Sequence, residues 1–280
     1  MSVTIQAAWE YGRSQLNSSS PTPQLDARLL LEYVLDASYS HLIAHGQETI
    51  ATDAWRHYQQ LVRQARQHEP IPYLIGSTPF FDFDLAVTMA VLIPRPETEE
   101  LVEKARSYAR RLAAPRIVDV GTGSGCIAIG LAHFLPEAHI TAVDISPDAL
   151  AVARQNASRY APQRIDFRHG SLLEPIAPPV DLLVANLPYV TTEEWTALGD
   201  GVKLFEPRLA LDGGPDGLEL IRQLLQQATT KMAPAGVLLL EIGWQQGEAV
   251  QTIANRLFPK AAVRVESDLT GRERFLVIEL

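Results

Sequence analysis

From Arg116 onward, short β-branched apolar runs alternate with turns and helical segments, and few folds satisfy that rhythm. RIVDV (116–120), HITAVDI (139–145), RIDFRH (164–169), DLLVAN (181–186) and GVLLLEI (236–242) have the length and composition of buried strands. Each precedes a turn, and most precede a segment of helical periodicity. Strands joined through helices pair in parallel and are covered on both faces, so the stretch predicts an α/β fold around a mostly parallel sheet. AAVRVESDL and RFLVIEL, separated by Thr270-Gly271-Arg272, predict a last hairpin along the sheet edge.

The first 70 residues follow a different period. Ala7, Ala8, Tyr11 and Leu16 share a helical face, as do Leu25, Leu29, Leu30, Tyr33 and Val34 after Pro23. A short segment from His41 to Ala44 ends at Gly46. A fourth helix is expected to open at Thr52 or Asp53 as N-cap and to carry Trp55, Tyr58, Leu61, Val62 and Ala65. EPIPYLIG, with two prolines and a glycine, is expected to stop the helices. TPFFDFDLAV then alternates as a β-hairpin, and Pro96 opens a helix running ETEELVEKARSYARRLA. The expected domains are a helical bundle over 1–73, a linking hairpin over 74–93 and an α/β domain over 94–280.

Composition narrows the classes. An apolar share of 46% and a charged share of 20% are those of a globular chain with a real core. Twenty-four Lys and Arg against 33 Asp and Glu leave a net charge of −9, which disfavours bulk binding of nucleic acid or anionic membranes. A single cysteine, Cys126, cannot form an internal disulfide and fits a reducing compartment. With no basic n-region at the N-terminus and no apolar run long enough to span a bilayer, a cytoplasmic location is expected.

Two motifs carry chemistry. Asp119-Val-Gly121-Thr122-Gly123-Ser124-Gly125-Cys126 closes the first strand of the α/β domain and opens a helix. Glycines there permit positive φ and close approach of a ligand, while the first helical N–H groups face it. Asp144, ending the next strand, stands where a carboxylate accepts the two ribose hydroxyls of an adenosine. The third glycine of the nicotinamide fingerprint would fall on Cys126, so that cofactor is not indicated. What stands is D-x-G-x-G, which resembles motif I of class I methyltransferases. In those proteins the loop holds the methionine half of S-adenosyl-L-methionine.

The second motif is Asn186-Leu187-Pro188-Tyr189 at the end of the fourth strand. Its geometry suits a planar NH2 group whose lone pair is delocalised. The Asn186 side-chain carbonyl and the Leu187 backbone carbonyl each accept one N–H, Pro188 stiffens the turn, and Tyr189 stacks on the planar group. No charged base is needed for attack, because orientation alone can lower the barrier by roughly 7–11 kcal/mol. The stretch resembles the [DNS]-P-P-[YFW] signature of methyltransferases acting on adenine, cytosine or glutamine nitrogens. Leu187 replaces the usual first proline, which keeps the carbonyl and loosens the turn.

Three further stretches, LIPRPETE (92–99), FEPRLAL (205–211) and EIGWQQGE (241–248), complete a pattern similar to the HemK/PrmC family, the N5-glutamine methyltransferases of peptide chain release factors. The resemblance covers essentially the whole chain. It implies a class I, Rossmann-like domain using S-adenosyl-L-methionine, with S-adenosyl-L-homocysteine as product and no metal. The implied substrate is the glutamine of the Gly-Gly-Gln loop of bacterial class I release factors, docked by the N-terminal bundle of a monomer. Asp119, Gly121, Thr122, Gly123, Ser124, Gly125, Asp144, Leu172 and Asn186 would then bind the cofactor, with Ser171 and Leu172 beside the adenine as apolar packing. Asn186, Leu187, Pro188 and Tyr189 would grip the glutamine amide. Glu97 and Thr98 either line the pocket or simply open their helix.

Other acceptors remain open at this level: a glutamine of ribosomal protein L3, or adenine N6 of DNA or RNA, against which the net charge weighs. A non-catalytic S-adenosyl-L-methionine-binding adaptor would not need Asn186 and Tyr189. His41 and His45 lack the carboxylate company of a metal site. Arg106, Arg110, Arg111 and Arg116 form a local basic patch, read as a solvated face. Cys126 is read as small buried packing.

Overall fold

The computed structural model describes residues 3–161 and 163–280. The chain forms two compact units, one comprising the residues up to Ser77 with Gly199–Phe205, the other Thr78–Leu198 with Glu206–Leu280.

In the first unit, β1 (Val3–Thr4) pairs antiparallel with β2 (Thr49–Ile50) beside α1 (Ile5–Leu16), α2 (Pro23–Leu35), α3 (Tyr39–Ala44), α4 (Thr52–Arg66) and α5 (Ile71–Ile75). Leu16, Leu30, Leu31, Tyr58 and Val62 are fully buried at its centre. Trp9 and Trp55 pack against that centre partly exposed. Tyr58 donates its buried hydroxyl to the Ala27 carbonyl at 3.0 Å. Two helix ends differ from expectation. Ala51, not Thr52 or Asp53, is the N-cap of α4, and Asp53 lies in the first turn, where its charge meets the helix dipole. The segment EPIPYLIG does not merely stop helices but forms the single turn α5. Pro72 falls where no intrahelical N–H is required, and Gly76 at φ 84° ends the turn.

In the second unit, a hairpin of β3 (Ser77–Phe80) and β4 (Phe83–Ala86) leads to α6 (Pro96–Ala109). Then follow β5 (Arg116–Val120), α7 (Cys126–Phe134), β6 (His139–Asp144), α8 (Pro147–Tyr160), β7 (Ile165–His169) and β8 (Val180–Asn186). After α9 (Thr192–Ala197), the short α10 (Asp200–Phe205) belongs to the first unit, and the chain returns through α11 (Glu219–Ala228), β9 (Met232–Glu241), α12 (Gly247–Leu257), β10 (Ala262–Ser267) and β11 (Glu273–Glu279).

Seven strands form one sheet in the order β10-β11-β9-β8-β5-β6-β7. Strands β5 to β9 are parallel, and β11 and β10 add antiparallel at the edge. Alternation along each strand divides the core. Ile117, Leu182, Val184 and Leu239 face α6, α7 and the hairpin, whereas Val118, Leu183, Leu238 and Leu240 face α11 and α12. The chain moves from β5 to β6 and β7 in one direction, and later to β8 and β9 on the other side of β5. The carboxyl ends of β5 and β8 therefore flank a topological switch point, where an α/β sheet opens a crevice.

Candidate active site

At that crevice lies a cavity of about 380 Å³, within the range of small-molecule sites. The loop after β5 forms its floor. Gly121, Gly123 and Gly125 adopt φ of 73°, 55° and 83°, which side chains rarely tolerate. A Cβ on Gly121 would stand 2.9 Å from Leu187 Cδ2, and one on Gly125 would stand 3.2 Å from Ala153 Cβ. The loop thus leaves its backbone open toward the cavity and packs tightly behind.

Asp119 sits under this loop, fully buried. Its Oδ2 accepts from Thr122 Oγ1 at 2.6 Å and from the Ala128 N–H at 3.2 Å. Its Oδ1 has no partner among the described residues. Burial pushes the carboxyl up to about 7, against the lowering effect of those two donors. At the end of β6, Asp144 Oδ2 accepts from the Gly123 N–H at 2.8 Å and Oδ1 from the Ser146 N–H at 2.9 Å. Burial raises its pKa as well. Each carboxylate oxygen keeps a further lone pair for a ligand hydroxyl.

The residues expected to bind or react divide into two groups. Gly121, Thr122, Gly123, Ser124, Asp144, Leu172, Asn186, Leu187 and Pro188 line the cavity, together with Ser171 and Thr98. Asp119, Gly125, Tyr189 and Glu97 are not among the lining residues. Tyr189, expected to stack on a ligand, donates its hydroxyl to Glu241 Oε1 at 3.4 Å, with Arg274 Nη1 3.5 Å away. Burial raises that phenol. Leu187, standing where the first proline is usual, is buried. Its side chain is buried against Gly121 and anchors the turn through apolar contact, where a proline would have stiffened it covalently.

Several residues that position the site carry no motif of their own. Asn156 on α8 donates Nδ2 to the Ser124 and Ala86 carbonyls at 2.9 and 3.0 Å and accepts the Ala86 N–H at 2.7 Å. It ties the glycine loop to the hairpin. The buried Glu206 accepts from Arg95 Nη2 at 2.5 Å and from the Ile93 N–H at 3.3 Å, joining the conspicuous stretches 92–99 and 205–211 at the cavity mouth. Thr98 is buried between Asn186 and Glu241, which settles it as a lining residue.

Burial pushes the Cys126 thiol up to about 12, consistent with a packing role. Arg106 pairs with Glu103 and Arg116 with Asp181, and Arg111 lies over the Tyr108 ring. His41 and His45 stack at 4.2 Å. Among the described residues, no group of three or more His, Cys, Asp or Glu side chains could hold a metal ion, and no helix is long and apolar enough to cross a membrane.

A doubly wound sheet whose switch point opens onto a D-x-G-x-G loop and an Asn-Leu-Pro-Tyr turn defines a class I, Rossmann-like methyltransferase. Residues 117–207 match the family model described as a methyltransferase domain, and residues 7–76 match the PrmC N-terminal domain. Solved structures share the fold at low identity. A methyltransferase from Pyrococcus furiosus superposes with a TM-score of 0.53 at 16% identity over 71% of this chain and 90% of that one. The ribosomal protein L11 methylase of Lactobacillus delbrueckii does so at 0.50 and 19%, over 72% and 88%. Curated relatives named release factor glutamine methyltransferase are much nearer in sequence. That of Moorella thermoacetica is 40% identical over 96% of this chain and 95% of its own. That of Deinococcus radiodurans is 38% identical over 91% of each. The chain belongs to the release factor glutamine methyltransferase family.

Proposed function

We propose that the protein transfers a methyl group from S-adenosyl-L-methionine to the side-chain amide nitrogen of the glutamine in the Gly-Gly-Gln loop of peptide chain release factors. The observation that carries this reading is the disposition of Asn186. Its Nδ2 donates to Thr98 Oγ1 at 3.2 Å, so Oδ1 is the atom left for a ligand in the cavity. An acceptor-only group beside a cofactor-type loop suits a neutral amide nitrogen, which has N–H bonds to offer and no proton to lose beforehand.

The residues present fit the cofactor. The open glycine backbone at 121–125 and the spare lone pairs of Asp144 form a cradle for a molecule with a ribose. Leu172 and Ser171 supply the wall beside the base. S-Adenosyl-L-methionine brings an electrophilic methyl on a positively charged sulfur and is converted to S-adenosyl-L-homocysteine.

The chain's own contribution is orientation. Asn186 Oδ1 and the Leu187 carbonyl accept the two N–H groups of the glutamine amide and so fix its plane, turning the nitrogen toward the methyl. Hydrogen bonding of both N–H groups to carbonyl oxygens polarises the amide and increases electron density on nitrogen. The N–CH3 bond forms as the S–CH3 bond breaks, and the nitrogen then loses one proton to water. Placement of this kind can supply several kcal/mol of the barrier reduction without a charged base. Pro188 and the buried Leu187 keep both acceptors in register.

The test supplies labelled S-adenosyl-L-methionine with release factor, ribosomal protein L3 or DNA in separate reactions, followed by mass-spectrometric mapping. Label on the Gly-Gly-Gln glutamine is expected. Label confined to adenine, or to L3, overturns the assignment.

A further inference from the structure

Glu241 ends β9 directly beside Asn186, its register partner on β8. It is only 1% exposed, and no ion pair is formed at its carboxylate among the described residues. Instead it reaches both ends of the Asn186–Tyr189 turn. Thr98 Oγ1 donates to Oε2 at 2.9 Å and itself accepts from Asn186 Nδ2 at 3.2 Å. Tyr189 donates its hydroxyl to Oε1 at 3.4 Å. One buried carboxylate therefore receives the side chain that orients Asn186 and the side chain that closes the turn. A buried acid at this cost in desolvation calls for a role beyond packing.

We propose that Glu241 is a positioning residue for methyl transfer, acting through Thr98 to hold the Asn186 amide with its oxygen toward the cavity. This rests on the amide-methylation reading above. The physical reason is the direction of the hydrogen bonds. An ionised carboxylate can only accept, so Thr98 must spend its one hydroxyl proton on Glu241. The Thr98 oxygen can then only accept from the next residue, which compels Asn186 to present Nδ2 to it and Oδ1 to the substrate. Without that carboxylate, Thr98 can donate to Asn186 instead. The amide can then turn over and offer N–H groups to a substrate that also offers N–H groups.

The polarity of the relay consequently depends on ionisation. Burial pushes Glu241 up to about 7, so a modest change in pH alters the direction of the chain. The groups that bear on it come from four sides. Thr98 and Glu97 lie on α6, Tyr189 follows β8, Arg274 stands on β11, and the Cys126 thiol opens α7. Arg274 and the two hydroxyls favour the ionised form, whereas Glu97 opposes it.

The experiment compares the full-length protein with Glu241→Gln, Thr98→Val and Thr98→Ser. It measures kcat on release factor, affinity for S-adenosyl-L-homocysteine, and the Asn186 side-chain amide resonances, from about pH 5.5 to about pH 8.5. Wild-type kcat is expected to rise through about pH 7, the range to which burial pushes Glu241. Glu241→Gln and Thr98→Val lower kcat by on the order of 10- to 100-fold with cofactor-product affinity unchanged. Glu241→Gln also removes the rise, and Thr98→Ser, which keeps the hydroxyl, restores kcat. A Glu241→Gln protein with wild-type kcat and pH profile overturns the proposal, as does a Thr98→Ser protein as impaired as Thr98→Val. If wild type does not modify release factor, the substrate assignment fails. The relay is then judged on the Asn186 resonances, which Glu241→Gln and Thr98→Val shift if it exists and leave in place if it does not.

Discussion

At the scale of single residues, Asn186 and Asp144 face the same cavity with separate expected effects. Asn186→Ala removes the acceptor proposed to orient the substrate nitrogen while leaving the loop at 121–125 intact, so methyl transfer is expected to be abolished with cofactor affinity reduced only modestly. Asp144→Ala removes the carboxylate proposed to hold two ribose hydroxyls and is expected to weaken cofactor binding by about 2–4 kcal/mol. Calorimetry and turnover on each variant separate the two. Asp119 contributes a pH dependence to stability. Its carboxyl is held at about 7 in the fold against an ordinary 3.8, so between those values the folded state keeps a proton that the unfolded chain has released. Ligand-free protein is therefore stabilised as pH falls through that window, by at most about 1.4 kcal/mol per pH unit for one group. Glu241, also raised to about 7, adds a slope of the same sign. Urea unfolding across the window shows a reduced slope for Asp119→Asn and a persisting part from Glu241. The glycines, Asp144 and Asn186 were legible in the sequence because each ends a strand or fills a turn, where spacing reveals position. Glu241 and Thr98 were visible as letters within longer stretches, but their pairing spans 143 positions of chain. No local period encodes such a distance.

At the scale of elements, the hairpin β3–β4 is tied to α8 by Asn156 and by Tyr160, whose hydroxyl accepts the Asp84 N–H at 3.1 Å and donates to the Asp84 carbonyl at 2.9 Å. Asn156 satisfies the Ala86 N–H and carbonyl and the Ser124 carbonyl inside the core. Asn156→Ala strands those groups at about 1–3 kcal/mol each in the worst case. A fall in the urea midpoint of the second unit is the expected outcome, with the glycine loop losing its brace. In the first unit, α1 and α4 meet where Gly12 faces the Tyr58 hydroxyl, and an added methyl would overlap it. Gly12→Ala gains helix propensity but forces Tyr58 from its hydrogen bond to Ala27, so a net loss of about 1–3 kcal/mol is expected from thermal melting. The long helices and the sheet strands were legible from periodicity, down to the edge hairpin β10–β11, whereas the two-residue pair β1–β2 and the short α9 and α10 were not. Nor was the one-turn helix α5, since prolines read as terminators unless they occupy the first turn.

At the scale of the whole molecule, the net charge of −9 bears on which acceptor the site meets. The arginines of the one local patch are largely engaged within the chain by Glu103, Asp181 and the Tyr108 ring. A labelled DNA or RNA duplex is accordingly expected to show no anisotropy change at physiological salt, whereas release factor retains its own dependence on the protein. The sequence by itself determined the α/β class, the helical first unit, the glycine loop and the Asn-Leu-Pro-Tyr turn. Each of these is written in composition, period or spacing within a few tens of residues. The tertiary structure alone decided that residues 199–205 pack with the first unit, that Leu187 is locked by Gly121, and that Asn186, Thr98 and Glu241 form one relay. The reason is that side-chain partners are chosen by strand order and register, and a sheet that winds outward from β5 in both directions brings the ends of distant segments to a single edge.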